Sequence, residues 1–284
     1  MKMNKTVRYI LYGVIVAICI ISIFIGVYAL EFRISGQKNI AGSNAINENE
    51  TAEEVNSEMK VVNDFKALFN NSFSSTNYDS SKIKKMYDDK DIVYNAASLK
   101  EKKDEYDIDV NIPLININSD LVNKYNDNTQ KVFADQVNRA MKNEDSTEPI
   151  VCSISYTAYI NNNILSVAIM ENYKSGKLPQ RLIVQTYNYN LDTGEEVTIN
   201  DVMASRGVDS TSVNKKINST IKTLAEDDNT IADSGYNVYK RDISSDIYDV
   251  KNVKTFMQGP DGELYIIYPY GNTANTSEID VIKI

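Results

Sequence analysis

The hydrophobic positions of this chain change period several times, and each change marks an element. Tyr9 to Leu30 holds no charged residue and no polar stripe. At 1.5 Å per residue it spans roughly 33 Å, enough for bilayer hydrocarbon. Ile34 to Glu58 is polar, rich in Asn, Ser, Ala and Glu, and without apolar period; it reads as a flexible stalk. Val55, Met59, Val62, Leu68 or Phe69, and Phe73 then recur at helical spacing, which predicts an amphipathic helix over Ala52–Phe73. A loop and a short helix around Ile83 and Met86 complete a helical preface, residues 59–91.

From Asp107 the period is two. Ile108, Val110 and Ile112 alternate with polar residues, and Pro113 predicts a bulge before the strand resumes through Ile117, because proline has no N–H for the ladder. Ser119 is a suitable N-cap for a long helix with Val122, Tyr125, Val132 or Phe133, Val137, Ala140 and Met141 on its buried stripe. Pro149 to Gly176 reads as a hairpin turning at Asn161-Asn162-Asn163. Arg181–Leu191 and Glu196–Ile199 read as a second hairpin around Asp192-Thr193-Gly194. A short helix at Asp201–Ala204 and a longer one at Ser210–Ala225 follow. The chain closes with strands at Phe256–Gln258, Leu264–Tyr268 and Ile279–Ile284. Helices and antiparallel hairpins fall in blocks, so the expected fold is α+β over residues 92–284 and not a βαβ parallel sheet.

Lys2, Lys5 and Arg8 precede the apolar run, and only Arg33 and Lys38 follow it closely. The positive-inside bias places residues 1–8 in the cytoplasm and residues 31–284 outside, giving a single-pass membrane protein whose helix 9–30 meets the lipid bilayer. A signal peptide cut after Ala29 is the alternative, although the apolar run exceeds a signal core. The formal charge of −9 becomes −12 outside once the three N-terminal cations are set aside. That argues against nucleic acid and against a polybasic clamp for anionic polymers. The prevalence of Asn, Ile, Lys and Tyr is that of an AT-rich genome, as in low-GC Gram-positive bacteria.

Candidate chemistry is sparse. The chain has no His and two Cys, which removes imidazole-based triads and the usual zinc sets. Cys19 lies in the membrane run, and Cys152, in an apolar alternating stretch, reads as a small buried hydrophobe. The stretch from Asn188 through Asp192 fails the calcium-loop pattern, with Thr193 where glycine belongs and Ile199 where glutamate belongs. Adjacent carboxylates such as Asp227 and Asp228 diverge on any regular element. No catalytic residue, metal or cofactor is expected. Nineteen Tyr stand against seven Phe and no Trp. Tyr187, Tyr189, Tyr268, Tyr270 and Asn272 are the candidate ligand-binding residues, with the loop Tyr268–Asn272 as the contact surface. Tyrosine is equally an ordinary strand residue whose ring packs and whose hydroxyl reaches water.

Several phrases resemble a known domain in their order. They are Ile112-Pro113-Leu114-Ile115-Asn116-Ile117, then Leu121 to Asn126, Leu165-Ser166-Val167 with Tyr173, Gly176 and Pro179, Thr186 to Gly194 with Val197, Thr198, Ile199 and Asp201, and Leu264 to Gly271. The resemblance is to the extracytoplasmic domain shared by RsiV-type lysozyme-sensing anti-sigma factors and PdaC-type peptidoglycan deacetylases, and it covers roughly residues 90–284. In the former the domain senses lysozyme; in the latter it precedes a separate catalytic domain. Eight residues before the membrane run cannot form a sigma-binding segment, and without His there is no deacetylase half. The resemblance therefore implies a stand-alone envelope domain, a non-catalytic binding or sensor module for a protein or peptidoglycan-derived ligand. A structural partner of another membrane protein, through Tyr9–Leu30 or Ala52–Phe73, is the alternative. A carboxylate-based wall glycan hydrolase is a remoter one.

Overall fold

The computed structural model describes residues 48–142, 148–236, 238–271 and 277–284, with side chains from residue 58 onward. The tail 1–8, the run Tyr9–Leu30, the stalk as far as residue 47, Cys19 and Asn272 lie outside the described residues. Among the described residues no helix is long and apolar enough to cross a membrane. Residues 49–284 form one compact unit, α+β in class, with two sheets and four α-helices among the described residues.

Helix α1 (Glu48–Ala67) starts inside the stretch read as stalk and stops before Phe73. Its buried stripe is Val61, Val62 and Phe65, continued by Leu68 and Phe69, whereas Met59 is exposed. The chain then turns at Asn71, with φ 60°, into strand β1 (Ser72–Thr76). That strand pairs parallel with the second half of β4 (Ile150–Asn161). The preface is therefore part of the sheet rather than an appendage. A single 3-10 turn at Ser80–Lys82, capped by Asp79, takes the place of the short helix expected around Ile83 and Met86.

Strands β2 (Val93–Lys102) and β3 (Tyr106–Ile115) form a hairpin. The first of these has no alternation to read, because it is a sheet edge with most side chains in water. Lys100 and Lys102 sit opposite Asp109 and Asp107 and pair with them, which places charge along an edge that must not recruit another strand. The bulge predicted at Pro113 exists on the partner strand. The register slips between Asn95 and Ala97, opposite Pro113, so the neighbour yields where proline has no donor.

Helix α2 (Asp120–Met141) follows Ser119 and buries Val122, Asn126, Thr129, Phe133, Val137 and Ala140. Val132 and Met141 face outward. The chain next enters β4, which runs parallel to β3. One βαβ crossover is thus present where none was expected. The hairpin β4–β5 (β5, Ile164–Ser175) turns at Asn162, with φ 53°. Strand β6 (Arg181–Asn190) completes a sheet ordered β2-β3-β4-β5-β6, with β1 beside the far half of β4. Glu196 makes only an isolated bridge to Tyr189, so the second expected hairpin is a turn leading to helix α3 (Ile199–Ser205).

Helix α4 (Ser210–Asp233) runs past the expected end at Ala225. A three-stranded antiparallel sheet β7-β8-β9 follows, formed by Phe256–Gln258, Leu264–Tyr270 and Glu278–Lys283. Helix α2 covers one face of the large sheet over Ile108, Ile112, Cys152, Ile154 and Ile169. The other face carries Tyr159, Ala168, Met170 and Leu182, which meet Met257, Tyr265, Ile267 and Phe65. The outer face of the small sheet, with Leu264, Ile266 and Ile282, packs on Val202, Val213, Ile217 and Ile221 of α3 and α4.

Buried asparagines fasten this frame. Asn126 accepts from the Ile115 N–H at 3.0 Å and donates to the Ile115 carbonyl at 2.8 Å, doing what a neighbouring strand would do. Asn126→Ala is expected to leave both groups unpaired inside the protein. The expected loss is about 2–4 kcal/mol, read as a lower urea midpoint at unchanged m-value.

Candidate functional site

The structure separates the tyrosines that the sequence grouped. Tyr187 and Tyr189 lie on β6 under α2, 6% and 4% exposed. The Tyr187 ring stacks on Tyr125 at 4.1 Å and on Tyr189 at 6.2 Å. Burial pushes the Tyr187 hydroxyl above its ordinary range, and that hydroxyl has no hydrogen-bond partner among the described residues. Tyr268 is 4% exposed in the core beyond the small sheet, edge-on to Tyr248 at 5.1 Å. The expected loop from Tyr268 is strand as far as Tyr270. Both faces of β8 are covered, because the small sheet lies between the large sheet and α4. Tyr270 is half-buried, and Asn272 lies outside the described residues.

Several other polar residues of the resembling phrases bond backbone groups. Asn116 accepts from the Met86 and Tyr87 amides and donates to the Tyr87 and Asp91 carbonyls. Asn188 accepts from Ser166 Oγ at 2.7 Å and donates to the Phe256 carbonyl at 2.9 Å, joining the two sheets. Asn190 accepts from the amides of Asp192 and Thr193, and Gly194 supplies the φ of 76° that closes that turn. Thr198 and Asp201 form a reciprocal capping box on α3.

Tyr270 belongs to a charged node that no motif foretold. Arg241, in the irregular segment after α4, has a side chain only 5% exposed. Its Nε and Nη2 donate to the two oxygens of Asp280 at 2.9 and 2.8 Å, and Nη1 donates to Asp228 at 2.6 Å. The guanidinium lies 4.1 Å from the Tyr270 ring centre, with Tyr239 stacked on that ring at 6.4 Å. A cavity of about 170 Å³ opens beside it, walled by Met59, Val62, Leu224, Tyr270, Ile279 and Val281. Lys66–Glu278 and Lys216–Glu58 ion pairs tie α1 to β9 and α4 around it. Burial is the larger influence on the Asp280 carboxyl and raises it, with the guanidinium pulling the other way. Arg241 spends four N–H groups, counting a 3.3 Å bond to the Leu224 carbonyl. Its chemistry is that of a buried clip between α4 and β9.

A third buried acid, after Asp228 and Asp280, lies beneath α2. Glu171 on β5 is fully buried. Its Oε1 receives the Cys152 thiol at 3.8 Å, and its Oε2 has no partner. Burial raises its carboxyl to about 7, with Cys152 and the more distant Arg139 pulling it down. Burial, then the neighbouring carboxylate, push the Cys152 thiol up to about 12, so this is an inert thiol.

Two outcomes follow from these environments. Arg241→Met strands two carboxylates and is expected to cost about 3–5 kcal/mol, read by denaturant unfolding. The Glu171 carboxyl ionises near 7 when folded and near 4.5 when unfolded. The folded state therefore holds its proton longer, and stability is greatest below the unfolded value. Stability falls as pH rises from about 4.5 through about 7, by about 3 kcal/mol in total, and levels off above that. Glu171→Gln should flatten that fall in unfolding curves collected across the same pH window.

No family model and no curated protein matches the chain. Among solved structures, a DUF3298 family protein from Pseudomonas aeruginosa PAO1 is similar at 6% identity and a TM-score of 0.36, over 64% of this chain and 84% of that one. A DUF3298 family member from Bacteroides fragilis NCTC 9343 is similar at 11% identity and a TM-score of 0.31, over 67% of this chain and 90% of that one.

Proposed function

We propose that this chain is a non-catalytic binding or sensor module of the cell envelope. A membrane helix at Tyr9–Leu30 holds it, its C-terminal domain lies outside, and it takes a protein or wall-derived ligand. One observation carries the reading. The polar side chains in its most distinctive phrases, Asn116, Asn126, Asn188 and Asp201, are spent on backbone groups, and the buried Asp228 and Asp280 are both held by Arg241. An enzyme needs such groups aimed at a substrate, whereas a rigid frame with recognition at its loops needs them as they stand. The resemblance to the extracytoplasmic domain of RsiV-type and PdaC-type proteins supports the same placement, as do Lys2, Lys5 and Arg8 ahead of the uncharged run. Binding through loops is favoured over assembly through α1, because Val61, Val62 and Phe65 are already packed in this domain's own core.

The full chain, tagged at both ends and expressed in its host membrane, provides the test. The expected result is a tag after Ile284 that protease removes from intact protoplasts and a tag before Met1 that survives. Val16→Lys with Ile21→Lys should move the chain out of the membrane fraction. A protected C-terminal tag would overturn the topology. Release of new reducing ends from peptidoglycan by the purified chain would overturn its non-catalytic character.

A further inference from the structure

Away from the tyrosines, a polar cleft of about 280 Å³ lies where three turns meet. The β4–β5 turn gives it Asn161, Asn162 and Asn163; the end of α3 gives Ser205 and Arg206; the end of β7 and the turn beyond give Gln258 and Asp261. Gln258 is the unusual member. It is 6% exposed, and strand alternation places it on the same face as Phe256, toward α3. Its backbone N–H donates to Ser166 Oγ at 3.1 Å, yet its carboxamide has no hydrogen bond among the described residues. The carboxamide is not among the side-chain groups sealed from solvent without a partner, so it opens on the cleft and is available to a ligand there.

The other walls are set in place. Asn162, at a φ of 53°, is exposed at the turn. Asn161 lies so close to Gly262 that a Cβ there would come within 3.0 Å of its Nδ2. Arg206 is pinned by the Gly262 carbonyl at 2.7 Å and the Ile284 carbonyl at 3.3 Å, which leaves further N–H groups for the cleft. Arg206 and Asp261 cancel in formal charge, so the cleft gives a charged ligand no net attraction to offset its desolvation. Asn163 spends one N–H on Asn190 Oδ1 at 3.3 Å, and the remaining groups of the four carboxamides both donate and accept. That is the complement of groups that do both, namely hydroxyls and acetamides. No aromatic ring lines these walls, so recognition rests on hydrogen bonds.

We infer that this cleft binds one unit of a neutral glycan bearing acetamido and hydroxyl groups, with the Gln258 carboxamide as its buried contact. The inference rests on the binding-module reading and names the ligand class of a site within it. The test titrates the full chain in detergent with the trimer of N-acetylglucosamine, read by calorimetry and by saturation-transfer NMR. Gln258→Met keeps the shape and removes the amide. Asn162→Gly keeps the positive-φ turn and removes a second carboxamide, so a folding defect at Gln258 leaves one variant to decide. Saturable binding by the wild type, weakened about tenfold or more in each folded variant, is the expected result. Equal binding by wild type and both variants would overturn the assignment. So would a wild type that ignores the trimer, or one that takes a neutral peptide in its place. In either of those last cases, retention of an envelope ligand by the same chain would leave the binding-module reading standing.

Discussion

Two hydrogen bonds on Asn188 couple the halves of this protein. The side chain accepts from Ser166 on the neighbouring strand β5 and donates to the Phe256 carbonyl at the start of the small sheet. Ser166 in turn receives the Gln258 amide. All three side chains are buried. Apolar contact between Ala168, Met170, Leu182 and Met257, Tyr265, Ile267 supplies attraction between the sheets, but such contact is non-directional and tolerates sliding. A bond to a particular backbone carbonyl does not. The bridge sets where β7 starts, and β7 sets the register of β8 and β9.

That sandwich explains how much of the fold the sequence disclosed. Helices α2 and α4 and the β4–β5 hairpin were legible, because each has one covered side and one wet side, or a run of apolar residues ended by Asn162. Strand β2 was not, because an edge strand with both faces mostly in water carries no period. The parallel pairing of β3 with β4 was hidden for another reason. Strand, helix and strand were each visible, but pairing across α2 is a tertiary choice that leaves both strands with the same alternation. Asn126 was the available signal, a carboxamide on the buried stripe of a helix, which requires a backbone partner close by.

The site was less legible than the fold. Leu264, Ile266 and Tyr268 lie on one face of β8 and Tyr265 and Ile267 on the other, as strand alternation requires, yet both faces are covered. Exposure depends on what the sheet is stacked upon, which no local pattern carries. Arg241 was invisible for a related reason. It lies in an irregular segment, and its partners Asp228 and Asp280 come from a helix and a strand separated from it by 13 and 39 residues. Only the completed fold brings those charges together.

The protein treats its buried acids in two ways, and the difference follows from geometry. Asp280 lies on the last strand of the small sheet, where the segment after α4 is free to deliver a guanidinium with its planar fork. Glu171 lies inside the large sheet, between two long strands and beneath α2. The cation that acts on it, Arg139, is on the exposed side of that helix, so its attraction is the smallest of the influences on Glu171. Among the described residues no group bonds Glu171 Oε2, and the carboxyl without an ion partner keeps its proton longer instead. The Arg241 fork ties α4, β9 and Tyr270 together, working against the burial that raises the Asp280 carboxyl. The proton on Glu171 is exchangeable near neutrality. A pH response near neutrality therefore begins at Glu171, under α2 on the large sheet.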